Sequence, residues 1–188
     1  KAQGTPMYHG SRNKWDGAFN DPVVGEYGSE GIFLAPSENT AKYYQRDSGD
    51  IKEVFVNKNA KVWNYHNPDD LKVINRFIDK NVEFDKYLKE NWNYSKAEIK
   101  RKIARGEYDW VQRPEIMKGI RESGYDGFTN RDYNGGDTFG YFKSETLKTK
   151  SQLIDIWKEA NKVEAPKTIA KPTETPTKVA KTASDINK

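Results

Sequence analysis

A long stretch of helical pattern, residues 67–122, stands between two groups of short strand-like segments, and this order restricts the fold more than any other feature. A chain that runs strands, then helices, then strands builds an α+β domain, because a parallel βαβ fold needs the two elements to alternate. No internal repeat is present to suggest a solenoid.

The helical block carries its own punctuation. Asn67-Pro68 opens a helix with Leu71, Ile74 and Phe77 three residues apart. Ser95-Lys96-Ala97-Glu98 is a capping box ahead of Ile99 and Ile103, and Gly106 stops that helix. Pro114 starts another, with Ile116 and Ile120, which Gly124 ends.

Strand character precedes the block at Thr5–His9, Gly31–Leu34, Glu53–Val56 and Lys61–Trp63, the last two around an Asn57-Lys58-Asn59 turn. Between the first two, Gly17, Gly25, Gly28 and Gly31 predict a long mobile loop. A helix is expected from Pro36-Ser37-Glu38, with Ser37 as its cap and Ala41 with Tyr43 or Tyr44 turned inward. After the block come strands at Gly127–Asn130 and Thr138–Phe142 about a Gly135-Gly136 turn, then a helix capped by Ser151 with Leu153, Ile154 and Trp157 packed inward.

Composition removes several chemistries. The 188 residues contain no cysteine, which excludes a disulfide scaffold, a thiol nucleophile and a cysteine metal site. Only two histidines are present, and no acidic cluster has the spacing of a calcium loop, so no metal is expected. No apolar run is long enough to cross a bilayer, and the N-terminus shows no secretory pattern. The expected location is therefore the cytoplasm.

Charge argues against a duplex-binding surface. Residues 164–188 hold five lysines against three acids, +2 of the chain's +4, and leave a nearly balanced body. Lys96, Arg101 and Arg105 share a helical spacing, but Glu98 and Glu107 interrupt it, so a solvated face is expected. The domain is placed at residues 1–163; residues 164–188, rich in Pro, Thr, Lys and Ala, are read as a flexible tail that serves as a linker or as a tether to a partner.

The string Gly25-x-x-Gly28-x-x-Gly31 fits neither a dinucleotide fingerprint nor a P-loop. His66 precedes a helix cap and reads as an exposed turn residue. His9 ends an apolar strand just before Gly10, where the absence of a Cβ would let a ligand approach the backbone.

Tyr8-His9-Gly10-Ser11-Arg12, Gly31-Ile32-Phe33-Leu34-Ala35 and Thr40-Ala41-Lys42-Tyr43, taken in order, resemble the NAD-binding core of ADP-ribosyltransferases of the diphtheria-toxin and poly(ADP-ribose) polymerase branch. Gly124-Tyr125-Asp126-Gly127-Phe128 and Phe142-Lys143-Ser144-Glu145-Thr146-Leu147-Lys148 are similar to segments of the ADP-ribosyltransferase domains of phage and mobile-element polyvalent proteins. The resemblance covers about residues 5 to 150.

It implies a split antiparallel β-sheet core with helices inserted between strands, and NAD as substrate. It also implies that Gly10 binds the nicotinamide carboxamide, that His9 and Ser11 bond ribose hydroxyls, and that Phe33 and Tyr43 sandwich the nicotinamide ring. Arg12 and Thr40 enter the binding set through the same motifs.

Two departures accompany it. Phe33 stands where the family usually has tyrosine. The family's acid falls on Thr138, which leaves Asp137 beside it, or Glu145 further on, as the candidate carboxylate.

The expected function is mono-ADP-ribosylation of a macromolecular acceptor, a protein, by a phage-encoded effector acting in a bacterial cytoplasm or packaged in a virion. The alternative is a catalytically silent relative used for binding.

Overall fold

The computed structural model describes residues 6–11, 19, 31–45, 49–133 and 136–161. The tail at 164–188, Arg12 and most of the glycine-rich segment lie outside the described residues.

Seven strands and seven helices follow in the order β1 (Pro6–Gly10), β2 (Ile32–Leu34), α1 (Glu38–Lys42), β3 (Ile51–Val56), β4 (Val62–Trp63), α2 (Pro68–Lys80), α3 (Val82–Asn91), α4 (Lys96–Ala104), α5 (Tyr108–Val111), α6 (Pro114–Glu122), β5 (Gly127–Arg131), β6 (Asp137–Tyr141), β7 (Leu147–Thr149) and α7 (Lys150–Ala160) among the described residues. The expected α+β architecture is present. Its strands form two sheets, one ordered β1-β3-β7 and the other β2-β6-β5-β4. All pairs are antiparallel except β4 with β5, which run parallel because the entire helical block is the crossover between them.

The helices follow local signals. Asn67 caps α2 by accepting from the Asp69 N–H, and Pro68 occupies the first turn, where its missing N–H costs nothing. Asn81 ends α2 and also caps α3, accepting from the Phe84 N–H at 3.0 Å. The reciprocal Ser95–Glu98 capping box opens α4. Lys100 meets Asp79 at 2.5 Å and Lys102 meets Glu107 at 2.8 Å, so two cations of the basic helix are neutralised locally.

These helices cover one face of the four-stranded sheet. Ile74, Ile78, Ile99, Ile103, Ile116 and Ile120 are fully buried against Trp63 and Phe128. Each contributes about 1.5–3 kcal/mol by leaving water. A second core joins the two sheets through Met7, Val54, Ile32, Leu34, Tyr141 and Leu147.

Two expectations about side chains do not hold. The cap of α7 is Thr149, whose partner Gln152 completes a capping box, and not Ser151. Nor does α7 bury its apolar residues: Ile154 and Trp157 are exposed, Trp157 at 66%. In α1, Ala41 is fully buried as expected, whereas Tyr43 and Tyr44 both lie outside the core.

Candidate active site

Among the described residues, one backbone bridge joins the two sheets. Tyr8 and Ala35 exchange hydrogen bonds, Tyr8 N–H to Ala35 at 2.9 Å and Ala35 N–H to Tyr8 at 2.8 Å. Successive residues of a strand aim their backbone groups at opposite edges. Gly10 therefore aims its N–H and C=O at the same edge as Tyr8, toward β2, while Ser11 turns to β3 and donates its N–H to Asp50 at 2.9 Å.

Continued by two residues, the bridge register would set Gly10 opposite Phe33 and form a second bonded pair. It does not. The Phe33 carbonyl instead accepts from Nδ1 of His9 at 2.9 Å. An imidazole has taken the place of a ladder bond, and the strands part there with the Gly10 amide groups facing the gap.

His9 is half-buried, and the edge of its ring meets Phe19 at a centroid distance of 5.8 Å. Burial lowers its pKa, opposed by the hydrogen bond to Phe33. It is accordingly neutral at pH 7, with the Nδ1–H tautomer set by a carbonyl that can only accept.

Gly10 is demanded by packing as much as by access, since a Cβ there would overlap the Ala41 carbonyl of α1. That contact seats the C-terminal end of α1 beside the gap. Phe33 lies half-buried on the helix-covered face, edge-on to Phe128 at 6.1 Å. Tyr43 follows α1 with 70% of its surface exposed. The Thr40 hydroxyl shares a hydrogen bond with the capping Ser37 at 2.9 Å, and that of Ser11 bonds the Asp50 carbonyl at 3.2 Å.

The β5–β6 hairpin closes the other side. Tyr44 donates its hydroxyl to Asp132, a carboxyl whose pKa burial raises, partly offset by the Tyr133 N–H. Asp137 opens β6 three residues before Gly140, the partner of Phe33, which is roughly 10 Å along the strand.

The three acid positions diverge. Thr138 shares its face with Phe33 and is buried, its hydroxyl accepting from Asn130 Nδ2 at 3.0 Å, while Asn130 accepts from Gln112 at 3.4 Å. Asp137, one residue earlier, accepts from the Tyr65 hydroxyl and meets His66 Nε2 at 3.3 Å. Glu145 is exposed beyond the opposite end of β6 and lines a shallow depression with Phe19, Ser144 and Gln152.

Tyr65, His66, Tyr44 and Asp132 were not among the expected site residues. Their partners lie 71 to 88 residues away in the chain, a separation for which a single sequence carries no signal. Among the described residues no group of three potential metal ligands occurs. No helix among them is long and apolar enough to cross a membrane.

Two sheets parting beside a strand-end His-Gly pair, with an aromatic on the neighbouring strand, define an ADP-ribosyltransferase-type α+β fold. The chain belongs to the family of ADP-ribosyltransferases in polyvalent proteins, whose profile matches residues 1–154. Among solved structures, one titled "Crystal structure of an anti-CRISPR protein" is similar at 15% identity and a TM-score of 0.44, covering 76% of this chain and 93% of that one. No curated protein matches this chain in sequence.

Proposed function

We propose that this protein cleaves NAD at the nicotinamide–ribose bond and transfers a single ADP-ribose to a macromolecular acceptor, a protein. The observation that carries this reading is the interrupted ladder between β1 and β2. A primary carboxamide offers one acceptor and two donors, the complement of the Gly10 N–H and C=O that face the gap. Nicotinamide would replace the missing strand, with Phe33 behind its ring and Tyr43 free to close over it.

Bond cleavage leaves C1′ of the ribose electron-poor while the pyridinium leaves as neutral nicotinamide. A fixed carboxylate stabilises that charge, and Asp137 is the acid of β6 at the hairpin side of the gap. In this reading the bacterial cytoplasm, with the protein delivered by a phage, is the site of action.

Labelled NAD incubated with the protein and a bacterial lysate should give protein-bound label and free nicotinamide, both lost in His9→Ala. Absence of both products from the unaltered protein would overturn the proposal.

A second reading rests on Thr138. The residue at the family's acid position is uncharged, buried and engaged by Asn130, as expected of a protein that binds NAD without turning it over. Saturable heat of NAD binding with no nicotinamide release would favour it.

A further inference from the structure

His66 and Asp137 form a pair on the hairpin side of the gap, reached from two distant parts of the chain. One carboxylate oxygen of Asp137 faces His66 Nε2 at 3.3 Å, and the other accepts from Tyr65. The His66 side chain is 56% exposed, and no bond to its Nδ1 is made among the described residues. The backbone is held too, by the His66 N–H donating to Asn64 Oδ1 at 2.9 Å.

Other nearby charges are committed elsewhere. Asp69 pairs with Lys72, and Asp70 accepts from the Asn64 N–H and the Tyr125 hydroxyl. Glu107, bridged to Arg131, pairs with Lys102 and Arg105. Arg131 bears on Tyr65 from β5. Asp137 is therefore the acid that His66 meets.

Carboxylate, imidazole and an unpartnered ring nitrogen directed outward make the arrangement of an oriented general base. The Nδ1 of His9, by contrast, faces a neutral carbonyl, that of Phe33, within the gap.

We propose that His66, oriented by Asp137, removes the proton from the ADP-ribose acceptor, so that the acceptor is a neutral group carrying a proton, a hydroxyl or an amide, rather than a carboxylate. This rests on the reading above that the gap cleaves NAD. The acceptor X–H attacks C1′ of the nicotinamide ribose. The C1′–X bond forms as the C1′–N bond breaks, its electron pair neutralises the pyridinium, and the proton passes from X to His66 Nδ1 and then to water. Tyr65 acts as a positioning residue, holding the far oxygen of Asp137.

Water is itself a neutral proton-bearing acceptor, so NAD hydrolysis by the purified protein tests the step. In His66→Gln, nicotinamide release should fall about 10²- to 10⁴-fold, with NAD affinity changed by less than about twofold. Added imidazole should restore part of the rate to His66→Ala. Tyr65→Phe should lower kcat with KM unchanged.

Wild-type turnover matched by His66→Gln would overturn the base assignment and leave NAD cleavage standing. Loss of NAD binding together with rate, or lack of rescue by imidazole in a folded His66→Ala, would overturn it as well. No nicotinamide from the wild type would remove both proposals.

Discussion

Nδ1 of His9 lies 2.9 Å from the Phe33 carbonyl, in the position a backbone N–H of Gly10 would take if β1 and β2 stayed paired. A side chain thus ends one sheet and opens the gap. It also ties His9 to proton linkage, because burial lowers its folded pKa. The folded state then binds fewer protons than the unfolded chain, so stability rises with pH across the interval between the folded and the unfolded value of about 6.5. Thermal melts should lose stability as pH falls from 7.5 through that interval, and His9→Gln should flatten this part of the slope.

Gly10 tests whether α1 and the gap are coupled. A methyl group there meets the Ala41 carbonyl, a backbone atom that moves only with the helix. Gly10→Ala should cost about 1–3 kcal/mol of stability by overpacking. Gly136→Ala has open space around its added carbon and should change little. Denaturant unfolding of both variants measures the contrast, and equal stabilities would show that α1 shifts freely.

Thr138 separates structure from catalysis. Replacing its hydroxyl with the methyl of Thr138→Val leaves the buried Asn130 Nδ2 without its 3.0 Å acceptor. The expected cost is about 1–3 kcal/mol. If Asp137 is the acting carboxylate, nicotinamide release per folded molecule should stay within about twofold of wild type, whereas Asp137→Asn should lower it by about 10²-fold or more. A Thr138→Val rate as low as that of Asp137→Asn would move the chemistry to position 138.

What the sequence makes legible is what is stored locally. Ser95 and Glu98 stand three residues apart, and so do Thr149 and Gln152. The second pair marks the start of α7 better than Ser151 does, because only Thr149 has a glutamine at the third position to complete the box. The strand order β1-β3-β7 and the His9–Phe33 contact rest on pairing across the chain. The motif around His9 brings that residue forward, but the same motif is silent on His66, whose contact with Asp137 exists only once β6 is folded alongside it. The exposed Ile154 and Trp157 mislead for a related reason: apolar spacing describes a face without saying whether anything covers it.

Gly106 links the helical block to the acid. Its φ of 73° lies in the left-handed region, and a Cβ would fall 2.7 Å from the Tyr65 ring, whose hydroxyl holds Asp137. Gly106→Ala should therefore pay both for backbone strain, about 1 kcal/mol or more, and for displacing a buried aromatic. Gly124→Ala, with a φ of 83° and nothing near its added carbon, pays only the first. The contrast should extend to function. Displacing Tyr65 loosens Asp137, so Gly106→Ala should release nicotinamide more slowly at temperatures where it is fully folded, while Gly124→Ala retains the wild-type rate. Equal rates in the two folded variants would show that the Tyr65 hydroxyl does not position the acid.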